Sequence, residues 1–398
     1  MSLKTATRCV QFDGTSDAYG AMAPPIYQTA TFQQPTASEF GEYDYTRSGN
    51  PTRRLVEEQL ARLEGGAYAC AFASGMAAIT ALTRLLKSGD EIIAGDDLYG
   101  GTVRLLDQIL PRAGISVQYV DTSDLCAVAN ALSPQTKLLL VETPSNPLLR
   151  ISDVRQVGKL ARAVGARLAV DNSMMSPVLQ QPLRLGADVV IHSATKFLCG
   201  HSDVTAGALI TNDPSLHEQI AFQQNAEGAG LSPFESWLLF RGMKTLALRV
   251  ERQDNTARKV AVFLKSHPAV KKVYHPSLND HPGHELHRSQ AEGEGAIVSF
   301  ITGNADFSAR LAEAMQLFKI AVSFGSVGST VSLPFHMSHA SIPAGLKERL
   351  APPAHLVRLS VGIEDADDLI EDLEQALAMA ASPATQTQIN FKAEVATV

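Results

Sequence analysis

Between positions 91 and 211 the chain repeats one pattern. Short apolar runs (EIIAG, SVQYV, KLLLVE, RLAVD, DVVIH and GALIT) alternate with segments of helical spacing such as TVRLLDQIL and DVRQVGKLARAV. Runs with no polar face are strands covered on both sides. Alternating with helices, they predict an α/β fold built on a mostly parallel sheet with helices on both faces. The chain has 398 residues, more than one ordinary core holds. A second, smaller α/β unit is expected from GAIVSFIT, KIAVSF, LVRLSVG and a closing helix, EDADDLIEDLEQALAMA. The stretch PFESWLLFRGMKTLALRVERQDNTARKVAVFLKSH has few breakers and predicts a long helical connection between the two units. Ahead of the helix in TRRLVEEQLARLE, the Gly-, Pro- and Thr-rich N-terminus reads as an irregular arm. The polar end, ASPATQTQINFKAEVATV, reads as a frayed tail. The expected divisions are 1–55 (arm), 56–255 (large domain), 256–380 (C-terminal domain) and 381–398 (flexible tail).

A formal net charge of -7 without any basic run argues against nucleic acid and anionic membranes as partners. No run approaches the ~20 apolar residues of a membrane span. The N-terminus has no apolar core of a secretory signal. Cys9, Cys70, Cys126 and Cys199 are far apart and show no metal spacing, which fits a reducing, cytoplasmic compartment. Cys70 and Cys126 are expected in the interior and Cys9 at the surface. The run YHPSLNDHPGHELHRSQ holds His275, His281, His284 and His287 at spacings that suit no zinc helix. It is read as a polar surface loop, and no metal is expected.

In open parallel sheets, ligands bind beyond the carboxyl ends of the strands. Asp171 ends RLAVD, where a carboxylate either bonds a loop or holds a cation. Ser193, Thr195 and Lys196 follow DVVIH; hydroxyls and an amine there suit a phosphate and an electrophilic carbonyl, although a solvated lysine is the commoner case. Ser74, Gly75 and Met76 form a small-residue turn that opens a helix, a phosphate cradle or simply close packing. Tyr99 follows EIIAG and either stacks on a flat ring or fills a rim. Arg358 interrupts an apolar strand, facing either solvent or a carboxylate. Together, a cradle, a ring, an acid and an amine on one sheet edge are the set pyridoxal phosphate needs.

The motifs YDYTRSGNPTR, AFASGMAA, DDLYGGT, VETPSNP, AVDNSMMSP, HSATKFLCGHSDV, MSHASIP and VRLSVGIED resemble those of the pyridoxal-phosphate enzymes of Cys/Met metabolism, the trans-sulfuration family, from about residue 5 to 380. The resemblance implies a fold type I architecture, with a large, mostly parallel seven-stranded sheet domain and a smaller C-terminal α/β domain. It implies Lys196 as Schiff-base lysine, Asp171 as partner of the pyridinium nitrogen and Tyr99 as stacking ring. Gly75, Met76, Ser193 and Thr195 would hold the phosphate, joined by Tyr45 and Arg47 of an adjacent subunit. Tyr99 and the neighbour's Tyr45 would assist proton transfer. Arg358 would bind the substrate carboxylate, supported by Ser323 and Asn146. It further implies a homotetramer built from catalytic dimers and an amino-acid thioether substrate. Several stretches, NDHPGHELHRSQ and AVSFGSV among them, are most similar to the β-cleaving lyases of the plant type. Val322 and Gly101 stand where many γ-specific members carry Glu and Cys, which favours β- over γ-cleavage.

Overall fold

The computed structural model describes residues 3–11, 19–340, 342 and 344–382. The expected frayed tail lies almost wholly outside the described residues, as do Ser341 and Pro343 of MSHASIP.

The first sheet has seven strands: β1 (Tyr68–Phe72), β2 (Glu91–Gly95), β3 (Ser116–Val120), β4 (Thr136–Glu142), β5 (Arg167–Asp171), β6 (Val189–His192) and β7 (Gly207–Thr211). Their order is β1-β7-β6-β5-β4-β2-β3, parallel from β3 through β6, with β7 antiparallel to both β6 and β1. The six strands expected from the apolar runs are present. β1 is additional: YACAF is carried by Ala and Cys, which give little strand signal.

The second sheet has five strands, β8 (Lys272–Tyr274), β9 (Ile297–Ile301), β10 (Lys319–Ile320), β11 (Thr330–Ser332) and β12 (Leu356–Ser360), in the order β10-β11-β12-β9-β8. Helix Ala366–Ala381 closes this unit by burying Leu369, Leu373, Ala376 and Leu377. The expected long helix is two, Pro233–Met243 and Leu246–Ser266. Arg249 explains the break. Its guanidinium bonds the carbonyls of Gly242 (2.8 Å) and Phe197 (2.8 Å), so the turn is tied to the segment after Lys196. Helix Leu246–Ser266 then links two cores, with Val250 in the first and Val260 and Leu264 in the second.

Helix Pro51–Glu64 starts with Asn50 accepting from Thr52 N and Arg53 N, with Pro51 at its first position, and stops at left-handed Gly65. Two expectations about cysteine are reversed. Cys9 is buried, because helix Thr5–Val10 packs on helices Pro51–Glu64 and Leu246–Ser266. Cys126 is exposed on the first turn of helix Leu125–Ala131.

The histidine run is also not a surface loop. His275, His281 and His287 are buried, and part of the run forms helix His284–Gln290. His275 Nε2 bonds Gly295 O (3.3 Å) and His287 Nε2 bonds Gly293 O (2.8 Å), so local carbonyls supply the partners that water was expected to supply. Burial pushes His275 down to about 3 and His281 down to about 4. Among the described residues no group of three or more His, Cys, Asp or Glu side chains could hold a metal ion. None of their helices is long and apolar enough to cross a membrane.

Candidate active site

The parallel strands end on one edge, and the residues after them line a cavity of about 470 Å³. Lys196, Asp171, Gly75, Met76, Tyr99, Ser193, Thr195, Arg358, Ser323 and Asn146 all face it. Tyr45 and Arg47 of the same chain do not. Arg47 bonds Asn225 O (3.0 Å) and Tyr45 is exposed beside it.

One wall is the start of helix Gly75–Thr83. Ser74 Oγ accepts from Ala77 N (3.1 Å). The amides of Gly75 and Met76 lie in the first turn, with no carbonyl one turn back. They add the positive end of the helix dipole to the cavity wall. Close approach requires glycine here. A Cβ at 75 would stand 2.9 Å from Ser193 Cβ, and one at 207 would stand 2.2 Å from Ser74 O. Ser193 N donates to Ser173 Oγ (2.6 Å), and Thr195 Oγ1 accepts from Ala206 N (2.9 Å).

Tyr99 sits in a second wall, its N–H donating to Glu142 Oε1 (3.1 Å). A Cβ at 101 would stand 2.4 Å from Tyr99 Cε1, so Gly101 permits this ring position.

At the floor, β4 and β5 are in register so that Glu142 pairs with Asp171. Both carboxyls are held above their ordinary range, chiefly by burial. Asp171 has compensation: Ser173 N donates to it (2.9 Å), and His192 and Lys196 favour its anion. Glu142 has only the Tyr99 amide, and Asp171 repels its charge. The surroundings therefore favour the anion at Asp171 more than at Glu142. Beneath them Glu64 Oε1 accepts from Asn172 Nδ2 (2.8 Å) and meets His192 Nε2 at 2.5 Å, clamping the ends of β5 and β6 together.

Lys196 answers the question of solvated or buried. Burial first, then the Arg358 cation, lowers its amine to about 8, while Asp171 opposes. Its Nζ donates to Ser323 Oγ and lies 4.9 Å from the Phe324 ring centroid. Ser323 adopts a left-handed backbone (φ 81°), uncommon for a side-chain-bearing residue, to present that hydroxyl. Arg358 is 2% exposed, so it does not face solvent. Strand alternation sends Val357 and Leu359 into the second core and Arg358 to the cavity. Its Nη1 donates to Asn146 Oδ1 (2.7 Å) and its Nη2 to Ser323 O (2.9 Å).

Glu142, Thr102, Arg104, Ser173 and Phe324 also line the cavity and were not singled out from sequence. The strand-end rule that selects Asp171 equally selects Glu142, which closes KLLLVE. The arrangement fits a flat ring with an anionic arm. Glycine-dependent amides stand where an anionic arm would lie, the Tyr99 ring lines another wall, and a carboxylate and an amine with a lowered pKa stand apart from them. Thr102 Oγ1 is buried and unpartnered in the same wall.

The family model described as Cys/Met metabolism PLP-dependent enzyme matches residues 6–378. Chloroplastic cystathionine beta-lyase of Arabidopsis thaliana is 56% identical over 371 residues, covering 93% of this chain and 80% of that protein. Cystathionine gamma-lyase of Bacillus subtilis is 48% identical over 358 residues, 90% of this chain and 94% of that one. A solved cystathionine gamma synthase from Xanthomonas oryzae pv. oryzae, in complex with cystathionine, superposes with a TM-score of 0.93. It is 40% identical and covers 96% of this chain and 99% of that one.

Proposed function

The chain belongs to the Cys/Met metabolism PLP-dependent enzyme family, and from that premise we propose that it is a carbon–sulfur lyase that cleaves L-cystathionine to homocysteine, pyruvate and ammonia. The observation that carries the chemistry is the buried Lys196 amine, lowered to about 8, in one cavity with Asp171 and Arg358. β-Cleavage is supported by the identity to the Arabidopsis β-lyase and by Val322 at the cavity rim.

Pyridoxal phosphate is the cofactor of this family, and when bound it supplies an electron sink for the charge left at Cα. The amides of Gly75 and Met76, with Ser193 and Thr195, would hold its phosphate. Asp171, whose anion Ser173, His192 and Lys196 favour, would pair the ring nitrogen, and Tyr99 would cover the ring. Lys196 would be the attachment point. Its Nζ, neutral in an appreciable fraction near neutral pH, takes the Cα proton. Arg358 receives the α-carboxylate as a fork, aimed by Asn146 and Ser323. Tyr45 and Arg47 serve the phosphate of an adjacent copy, Tyr45 also assisting proton transfer there. Their position outside their own chain's cavity and the exposed Phe40 five residues before Tyr45 support such a dimer. Pairing of two dimers into a homotetramer is part of the same proposal. The arm ends near residue 55, and the two sheet domains divide near residue 255, inside helix Leu246–Ser266. Four free cysteines support a reducing location, read as cytoplasmic.

A second reading, γ-cleavage on the same scaffold, is supported by the Bacillus γ-lyase and the Xanthomonas γ-synthase. Product identity decides. The holoprotein incubated with L-cystathionine should yield pyruvate and homocysteine in equal amounts. Formation of 2-oxobutyrate and cysteine instead overturns the β-lyase reading.

A further inference from the structure

GDDLYGGT contains a buried group that the chemistry above leaves unused. Asp97 is 7% exposed, two residues before Tyr99. A buried carboxylate needs donors, and those of Asp97 come from a single loop. Ser145 Oγ and Leu148 N (3.0 Å) both donate to its Oδ2. The loop is closed around Ser145. Arg150 N donates to Ser145 Oγ (2.9 Å), Ser145 N to Arg150 O (3.0 Å) and Leu149 N to Ser145 O (3.1 Å). Between the two tied residues stands Asn146, whose Oδ1 accepts from Arg358 Nη1 (2.7 Å). The path from Asp97 to the guanidinium is thus continuous through Ser145 and Asn146.

We infer that Asp97 is a positioning residue for substrate recognition: by tethering Ser145 and Leu148 it fixes Asn146 against Arg358 and so aims the fork that receives the α-carboxylate. This rests on the assignment of Arg358 made above. The charged groups around Asp97 are Asp96 beside it, Arg150 from the loop and Glu142 at the end of β4. Arg150 is engaged elsewhere, with Asp96 (2.8 Å) and Asp121 (3.2 Å). Burial raises Asp97 to about 6, against the pull of Ser145, Leu148 and Arg150. The ionised form makes the stronger, charge-assisted tether. The tether is therefore intact above that pH and weakens as pH falls through it.

The test is steady-state kinetics of the holoenzyme with L-cystathionine from pH 8 to 5. Asp97→Asn should raise KM about tenfold at neutral pH while kcat changes little, the signature of lost binding. Wild-type KM should climb as pH falls through about 6, and that climb should be absent in Asp97→Asn. Hydrogen exchange in residues 143–150 should be faster in the variant. Wild-type KM, or a retained acid climb, overturns the inference. If Asp97→Asn loses native cofactor absorbance, Ser145→Ala decides, since it removes one donor and no charge. It should give the same KM-only change, smaller in size, and an unchanged KM there overturns the inference. Arg358→Ala run in parallel separates the two levels. No rise in KM for that variant overturns the carboxylate assignment itself. A rise in Arg358→Ala with wild-type behaviour in Asp97→Asn overturns only the role of Asp97.

Discussion

Lys196→Ala should lower the turnover of L-cystathionine by about 10⁴-fold or more, because in the proposed assignment one amine both attaches the cofactor and takes the Cα proton. Neither Arg358 nor Ser323, the groups beside that amine, can replace it. Arg358 is a guanidinium and cannot act as a base, and Ser323 offers only a hydroxyl. Burial and the Arg358 cation bring Lys196 to about 8, close enough to neutrality for both protonation states to be used. The fold should survive, since alanine removes a cation whose burial is costly. Borohydride reduction should fix the cofactor to the wild-type chain and label none of the variant. Thermal unfolding of the apo forms should be similar. Full turnover in Lys196→Ala would sink the assigned chemistry.

Arg358→Ala should reduce kcat/KM for cystathionine by about 10²- to 10³-fold, the range for losing one partner of a buried, hydrogen-bonded charge pair. The loss should fall mostly on KM. Arg358→Lys should recover little, because the ammonium cannot present two parallel N–H groups to a carboxylate while also reaching Asn146 and Ser323. A second effect carries a sign. Arg358 lowers the Lys196 amine, so removing its charge should raise that pKa. A protonated Lys196 is no base, so the acid limb of kcat should move to higher pH in Arg358→Ala and stay near its wild-type position in Arg358→Lys. An unmoved limb in the alanine variant would show that Lys196 does not set it.

The main sheet was legible because its inner strands are buried, whereas β3 at its edge is not. β2, β4, β6 and β7 read as unbroken apolar runs, and each ends at a residue type that marks it. β8 and β11 have three residues each, too short for any periodicity, and pair with β9 and β12, while of the expected run KIAVSF only Lys319–Ile320 forms a strand, β10, on the edge of β11. The cavity was legible from strand ends where one charged residue stood alone, as with Asp171 and Lys196. Burial was not. Arg358 and Cys9 became interior through segments distant in sequence, loop 143–150 for one and helix Leu246–Ser266 for the other. His275 and His287 look hydrophilic in a string of residues, yet backbone carbonyls of Gly295 and Gly293 satisfy them indoors. Asp97 and Glu142 share that lesson: only geometry shows which buried acid faces donors and which faces another acid.

The cavity is drawn from two sheets, and they are made at different times. Everything assigned to the cofactor within one chain lies between residues 74 and 196, on the sheet completed by β7 at Thr211. Arg358 lies on β12 of the other sheet and Ser323 in the segment between its strands β10 and β11, and that sheet cannot close until β12 has been synthesised. On the ribosome, this chain's own share of the proposed grip on pyridoxal phosphate is therefore synthesised before Ser323 and Arg358, its proposed grip on an amino acid. The share assigned to Tyr45 and Arg47 of a second copy would arrive only when two finished chains meet, so assembly and not translation would complete the cofactor site.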